Sequence, residues 1–238
     1  MLVLAIVGSS AFIRLSAGTP DAVPSVVDGA RMAHRLSASL AGILVLLVAG
    51  LVFTRDRSRR PDFALAGVTL VVTLALAWVG RYSGPEATNA VLVANLAGGL
   101  ALSTLLWALA ARESAGVAQG SSSDVMALAL VTLVAAGLQS ITGAMTVTGF
   151  AKLGAAHHAS GIVAIALCVW LAIRLGRSPA TRRVGQSIIA LAAFQASLGV
   201  AALVFSLPLW LVLAHNIGAA LLLAALAQGI VQCRSRAL

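Results

Sequence analysis

His34 and His157 stand 123 residues apart, each near the entrance of an apolar segment. Asn95 and His215 form a second matched pair, 120 residues apart, at the entrances of two further apolar segments. Imidazole is rare in hydrocarbon, so a repeated histidine at equivalent helix entrances suggests a bound metal centre. In a membrane bundle, two histidines facing each other from different helices are suited to gripping a heme iron, because neutral imidazole nitrogen is a good axial ligand. His157 and His215 can clamp one planar macrocycle in this way, and the Ala, Gly, Leu and Val around them leave room for a flat apolar ring. His34 has Asn95 in the partner position, and asparagine is a poor iron ligand. A site there has one protein ligand and an open face, which suits chemistry or substrate exchange, whereas a closed bis-imidazole site suits electron transfer. The plainer alternative for all three histidines is an interfacial side chain bonded to water or to a backbone carbonyl.

His158 follows His157 directly, and adjacent helical residues point about 100° apart, so both cannot face one iron. His157 aligns with His34 and is taken as the ligand. His158 then stabilises a negative group of the cofactor, such as a heme propionate, or is an ordinary interfacial residue. Gln139 and Gln195 are intramembrane amides that can bond to heme edges or to a neighbouring helix, the commoner role of such groups.

The elements that must position these residues are membrane helices. The 238 residues are 60% hydrophobic and 10% charged, with mean hydropathy +1.01, outside the range of a soluble domain. The periodicity predicts an all-α polytopic membrane protein of eight transmembrane helices, over roughly 2–14, 32–53, 62–82, 87–111, 124–148, 155–175, 184–206 and 208–231. Its first helix is short. About 12 apolar residues span about 18 Å, less than a bilayer core of about 30 Å. It could be the end of a helix that starts upstream, or a signal peptide, although no basic residue precedes the apolar run. The Gly/Ser-rich stretch 115–123 reads as a linker between two tandem four-helix bundles, 1–114 and 124–238. Cys168 and Cys233 have neither disulfide nor zinc spacing.

The net charge of +9 raises nucleic acid as a partner, but the arginines sit in short loops without aromatic neighbours to stack bases. They act as topology signals instead. Arg55, Arg57, Arg59, Arg60, Arg112, Arg174, Arg177, Arg182, Arg183, Arg234 and Arg236 account for eleven of the sixteen basic residues, and they share one side, which should be cytoplasmic. Both termini then lie inside, and His34, Asn95, His157 and His215 lie in the outer half of the bilayer.

Several segments carry a resemblance. GSSAFIRLSAG (Gly8 to Gly18), RMAHRLSASLAG (Arg31 to Gly42), LQSITGAMTVTGF (Leu138 to Phe150), AAHHASGIVAIAL and LAHNIGAALLLAAL resemble helices 1, 2, 5, 6 and 8 of the heme A synthase family of cytochrome oxidase assembly proteins. The resemblance implies a heme b held in the C-terminal half by His157 and His215. It also implies a heme O site in the N-terminal half, with His34 as its catalytic axial residue, where a ring methyl is oxidised to the formyl of heme A. The b heme would pass electrons away from the substrate heme. Heme O synthase and cytochrome oxidase would be the partners, in a bacterial or archaeal cell membrane, with a homo-oligomer left open. The chain departs from the family pattern in its first half. Asn95 stands where a second histidine is usual, and Arg31 where a glutamate is usual three residues before the histidine of helix 2. A guanidinium there reverses the local charge and cannot serve as base.

Two other readings stand beside this one. The first is a b-heme membrane protein without oxidation chemistry, acting in oxidase assembly or electron transfer. The second is a small-solute transporter, which repeats of this kind also build, although no broken helix pair and no intramembrane carboxylate favours it.

Overall fold

A computed structural model describes residues 2–16, 23–54, 60–84, 87–114, 122–147, 154–206 and 208–234. Arg55, Arg57, Arg59, Lys152, Arg236 and most of the 115–123 stretch lie outside the described residues. Eight helices follow one another: α1 (Leu2–Ser16), α2 (Pro24–Thr54), α3 (Arg60–Gly80), α4 (Asn89–Ser114), α5 (Ser123–Val147), α6 (Gly154–Gly176), α7 (Arg182–Val204) and α8 (Leu209–Arg234). No strand occurs among the described residues. Seven helices are long and apolar enough to cross a membrane, and α1 contributes a shorter apolar stretch, Leu2–Ile13. The chain is therefore a polytopic helical membrane protein.

The boundaries follow the hydropathy pattern except at the start of α2, which begins eight residues earlier than the apolar run predicts. Pro24 opens it, as suits a first helical position whose N–H needs no partner, and Asp28 pairs with Arg31 one turn later at 3.0 Å. Such a pair satisfies charges in the interface and lets the helix continue beyond the hydrocarbon.

The chain falls into two compact units, Met1–Leu109 and Ala110–Leu238. In the second, α5 packs on α6, α6 on α7, α7 on α8, and α8 returns to α5. The result is a closed antiparallel ring of four, in which α6 and α8 are diagonal to each other. Arg174, Arg177, Arg182 and Arg183 lie at the end of this ring where α6 passes to α7, opposite the end where α6 and α8 begin. In the first unit α1 packs on α2 and α2 on α3. Val45 and Ala49 of α2, Ala66 and Thr69 of α3, and Leu106 of α4 line a common groove.

Without water in the bilayer, polar groups must be satisfied within the protein. Thr69 and Thr132 are buried and donate to the carbonyls one turn back, those of Leu65 and Leu128, at 2.7 Å each. The opposite faces carry exposed apolar side chains, among them Leu36, Leu47, Ile162, Val200 and Trp210, which is the surface a helix presents to lipid.

The α6–α7 link is closed by two contacts. Thr181 donates its hydroxyl to the Leu175 carbonyl at 2.7 Å, and Gly185 approaches so closely that a Cβ would lie 2.8 Å from the Ala172 carbonyl oxygen. Gly185→Val is therefore expected to lower stability by about 1–3 kcal/mol through overpacking. Gly137→Ala, where a Cβ meets nothing within 4 Å, should be neutral or slightly stabilising. Thermal unfolding of the purified protein in detergent checks both.

Candidate functional site

The second unit is built from two helical hairpins that repeat one arrangement. In the first hairpin, the Gln139 side chain on α5 donates to the backbone carbonyl of His157 on α6 at 2.9 Å. In the second, the Gln195 side chain on α7 donates to the backbone carbonyl of His215 on α8, also at 2.9 Å. Each glutamine thus clasps the neighbouring helix at its histidine. Glycines make the approach possible. A Cβ on Gly161 would meet the Gln139 amide nitrogen at 2.9 Å, and one on Gly218 would meet the Gln195 carbonyl oxygen at 2.4 Å.

The histidine side chains occupy the reciprocal gaps. The His157 ring rests on Gly143, one turn after Gln139, where a Cβ would fall 2.6 Å from its Cε1. The His215 ring rests on Gly199, one turn after Gln195, where the same distance would be 3.3 Å. Each hairpin therefore pairs Gln-x-x-x-Gly on one helix with a histidine followed closely by glycine on the next. Both imidazoles are partly buried. They project from α6 and α8, the diagonal helices of the ring. With about 8–10 Å between adjacent helix axes, the diagonal is about 11–14 Å, a span that two imidazoles and one metal atom can bridge.

The ring nitrogens of these histidines are differentiated by their surroundings. The backbones of Gln139 and Gln195 lie beside the His157 and His215 rings. Nδ1 of His157 also meets the Thr142 hydroxyl at 3.4 Å. An acceptor at Nδ1 fixes the proton there and leaves Nε2 with its lone pair, the arrangement of a metal-bound histidine. His157 fits an axial ligand in this respect. Nδ1 of His215 is buried and has no hydrogen bond of good geometry among the described residues, as is the case for Oε1 of Gln195. Among the described residues no three or more His, Cys, Asp or Glu side chains gather as a metal cluster, so a zinc-type site is not built there.

The first unit carries a modified copy. Nδ1 of His34 meets the Ser9 hydroxyl of α1 at 3.1 Å, and the Ile6 carbonyl lies beside the ring. On α3 and α4, Leu76 stands in the place of the glutamine, against Gly98, where a Cβ would fall 2.6 Å from its Cδ2. Asn95 turns its amide to the Ser83 hydroxyl. Arg31 is held by Asp28. His158 is exposed, its ring 5.8 Å from that of His157 and tilted by 53°.

Reading residues by type found the histidines and the two amides. It missed Thr142, and it did not connect Gly143 and Gly199 to the imidazoles. The signal was present, since QSITG (Gln139 to Gly143) and QASLG (Gln195 to Gly199) repeat the same five-residue pattern.

Fold and site together define a multi-pass helical membrane protein that carries one histidine on each of two diagonal helices of a four-helix ring. Residues 150–227 match the COX15-CtaA family model, described as a cytochrome oxidase assembly protein. That stretch is about a third of the chain and contains both His157 and His215. No curated protein and no solved structure gave a match.

The first clasp is testable on its own. Ser160 donates to Oε1 of Gln139 while the Gln139 amide holds His157. A double-mutant cycle of Gln139→Met and Ser160→Ala, read by unfolding in detergent, is expected to show a coupling of about 0.5–2 kcal/mol, the range of intramembrane hydrogen bonds.

Proposed function

We propose that this chain is a heme A synthase-type oxidoreductase. Its second unit holds a resident heme b between His157 and His215. Its first unit binds heme O against His34, where the ring methyl is oxidised to the formyl of heme A for cytochrome oxidase biogenesis. The observation that carries the reading is that His157 and His215, each clasped at its backbone by a glutamine of the preceding helix, both lie within the stretch matching the oxidase assembly family. The bound b heme would supply one-electron transfer away from the substrate. The protein's own residues do the positioning. Gln139 and Gln195 lock the backbone of each histidine, Gly143 and Gly199 give the rings a flat seat, and the Thr142 hydroxyl at Nδ1 of His157 would leave Nε2 of that ring to hold iron. His158, next to His157, is placed to meet a propionate.

The first unit's reading rests on the repeat. His34 is oriented by Ser9 as His157 is by Thr142, and no second imidazole opposes it at Asn95, so a substrate ring there is gripped from one side. Heme O synthase would supply that substrate, and cytochrome oxidase would take the product. The setting is the lipid bilayer of a bacterial or archaeal cell, with both termini cytoplasmic and the imidazoles toward the outer face, as the arginines at the far end of the second unit suggest.

A specific observation favours the non-catalytic reading, a b-heme protein of oxidase assembly or electron transfer. Arg31 is neutralised by Asp28 and Asn95 is committed to Ser83, so neither position offers a carboxylate or a second imidazole to the reacting methyl. Expression in heme-replete cells separates the alternatives. The purified protein is expected to show a six-coordinate b-type spectrum that His157→Ala or His215→Ala abolishes. Co-expression with a heme O source is expected to yield heme A, and His34→Ala to stop that yield without changing the b spectrum. Full heme b with no heme A assigns the non-catalytic role, and a colourless wild type defeats both.

A further inference from the structure

The two hairpins of the second unit share a backbone plan but not their hydroxyls. In α5–α6, Thr142 sits three residues after Gln139 and meets Nδ1 of His157 at 3.4 Å. Its own proton is directed to the Gln139 carbonyl at 3.0 Å, so its oxygen presents a lone pair to the ring. Ser160, three residues after His157, saturates Oε1 of Gln139. In α7–α8 the corresponding positions are Leu198 and Gly218. Neither carries a hydroxyl, and the two polar atoms those hydroxyls would serve, Nδ1 of His215 and Oε1 of Gln195, are the ones left buried without a hydrogen bond. The first unit repeats the saturated form. Ser9 donates to the Ile6 carbonyl at 3.1 Å and meets Nδ1 of His34 at 3.1 Å.

We infer that Thr142 is a positioning residue that makes the two imidazoles of the second unit inequivalent, with His157 the firmly held axial ligand and His215 the labile one. This rests on the heme reading above. A hydrogen-bond acceptor at Nδ1 orients the ring and raises its basicity, which strengthens its donation to iron and favours the oxidised state. His157 has this support from the Thr142 hydroxyl, and His215 has no hydrogen bond at Nδ1 among the described residues. The site is therefore a bis-imidazole centre with one exchangeable face, and that face is on the α8 side.

The test uses the purified, heme-loaded full chain with Thr142→Val, Thr142→Ser and Leu198→Thr. Two quantities are read, the heme midpoint potential and the rate at which carbon monoxide displaces an axial ligand from the dithionite-reduced protein. Thr142→Val is expected to raise the potential while leaving displacement, which runs through His215, within about twofold, and Thr142→Ser to restore the potential. Leu198→Thr, which supplies the missing acceptor to His215, is expected to lower the potential and slow displacement. If Thr142→Val does not fold, the Leu198→Thr result decides. A wild type without a bis-histidine spectrum overturns the heme reading and this inference together. A bis-histidine wild type whose three variants keep its potential and displacement rate overturns this inference alone.

Discussion

Everything in the second unit depends on an amide reaching across hydrocarbon to a carbonyl that already belongs to a helix. A glutamine side chain in a bilayer is costly unless both ends are bonded. The carbonyls of His157 and His215 accept that bond, and glycine on the facing helix allows the helices to come near enough. The same bond fixes the rotation of α6 about α5 and of α8 about α7. Once those rotations are set, the imidazoles have little freedom left, because each ring fills the hollow over a glycine on the helix that holds it. Stability and site geometry are thus the same interaction seen from two sides.

The ring topology converts these local clasps into a shared site. The hairpins α5–α6 and α7–α8 each present one histidine, and closure of α8 onto α5 puts the two on diagonal helices. Adjacent helices would crowd two imidazoles edge to edge. The match of residues 150–227 to the cytochrome oxidase assembly family model covers α6, α7 and most of α8, the helices that carry both histidines.

Much of this was legible in the sequence. The apolar runs located all eight helices, because hydrocarbon allows few alternatives to a continuous helix. They misplaced the start of α2, since the Asp28–Arg31 turn is helical for reasons of pairing rather than hydropathy. The histidines stood out by chemical type and by spacing. Gln139 and Gln195 stood out too, with their partners undecided between a cofactor and a helix, and the structure gives the helix. Thr142 was invisible for a physical reason. A threonine in a membrane helix ordinarily bonds back to its own chain, and only the contact across to His157 distinguishes it from Thr69 or Thr132.

The first unit shows what happens when the clasp is lost. Leu76 lies over Gly98 where an amide lies over Gly218. A methyl group needs no partner, so the Leu76–Gly98 contact can slide without leaving an orphaned donor. On the reading proposed here, that difference sorts residence times. A permanent lodger requires walls that do not yield, and the amide-bolted unit has them. A visitor that must arrive, change and depart is better served by a wall that gives way, and a leucine on a glycine is the cheaper hinge.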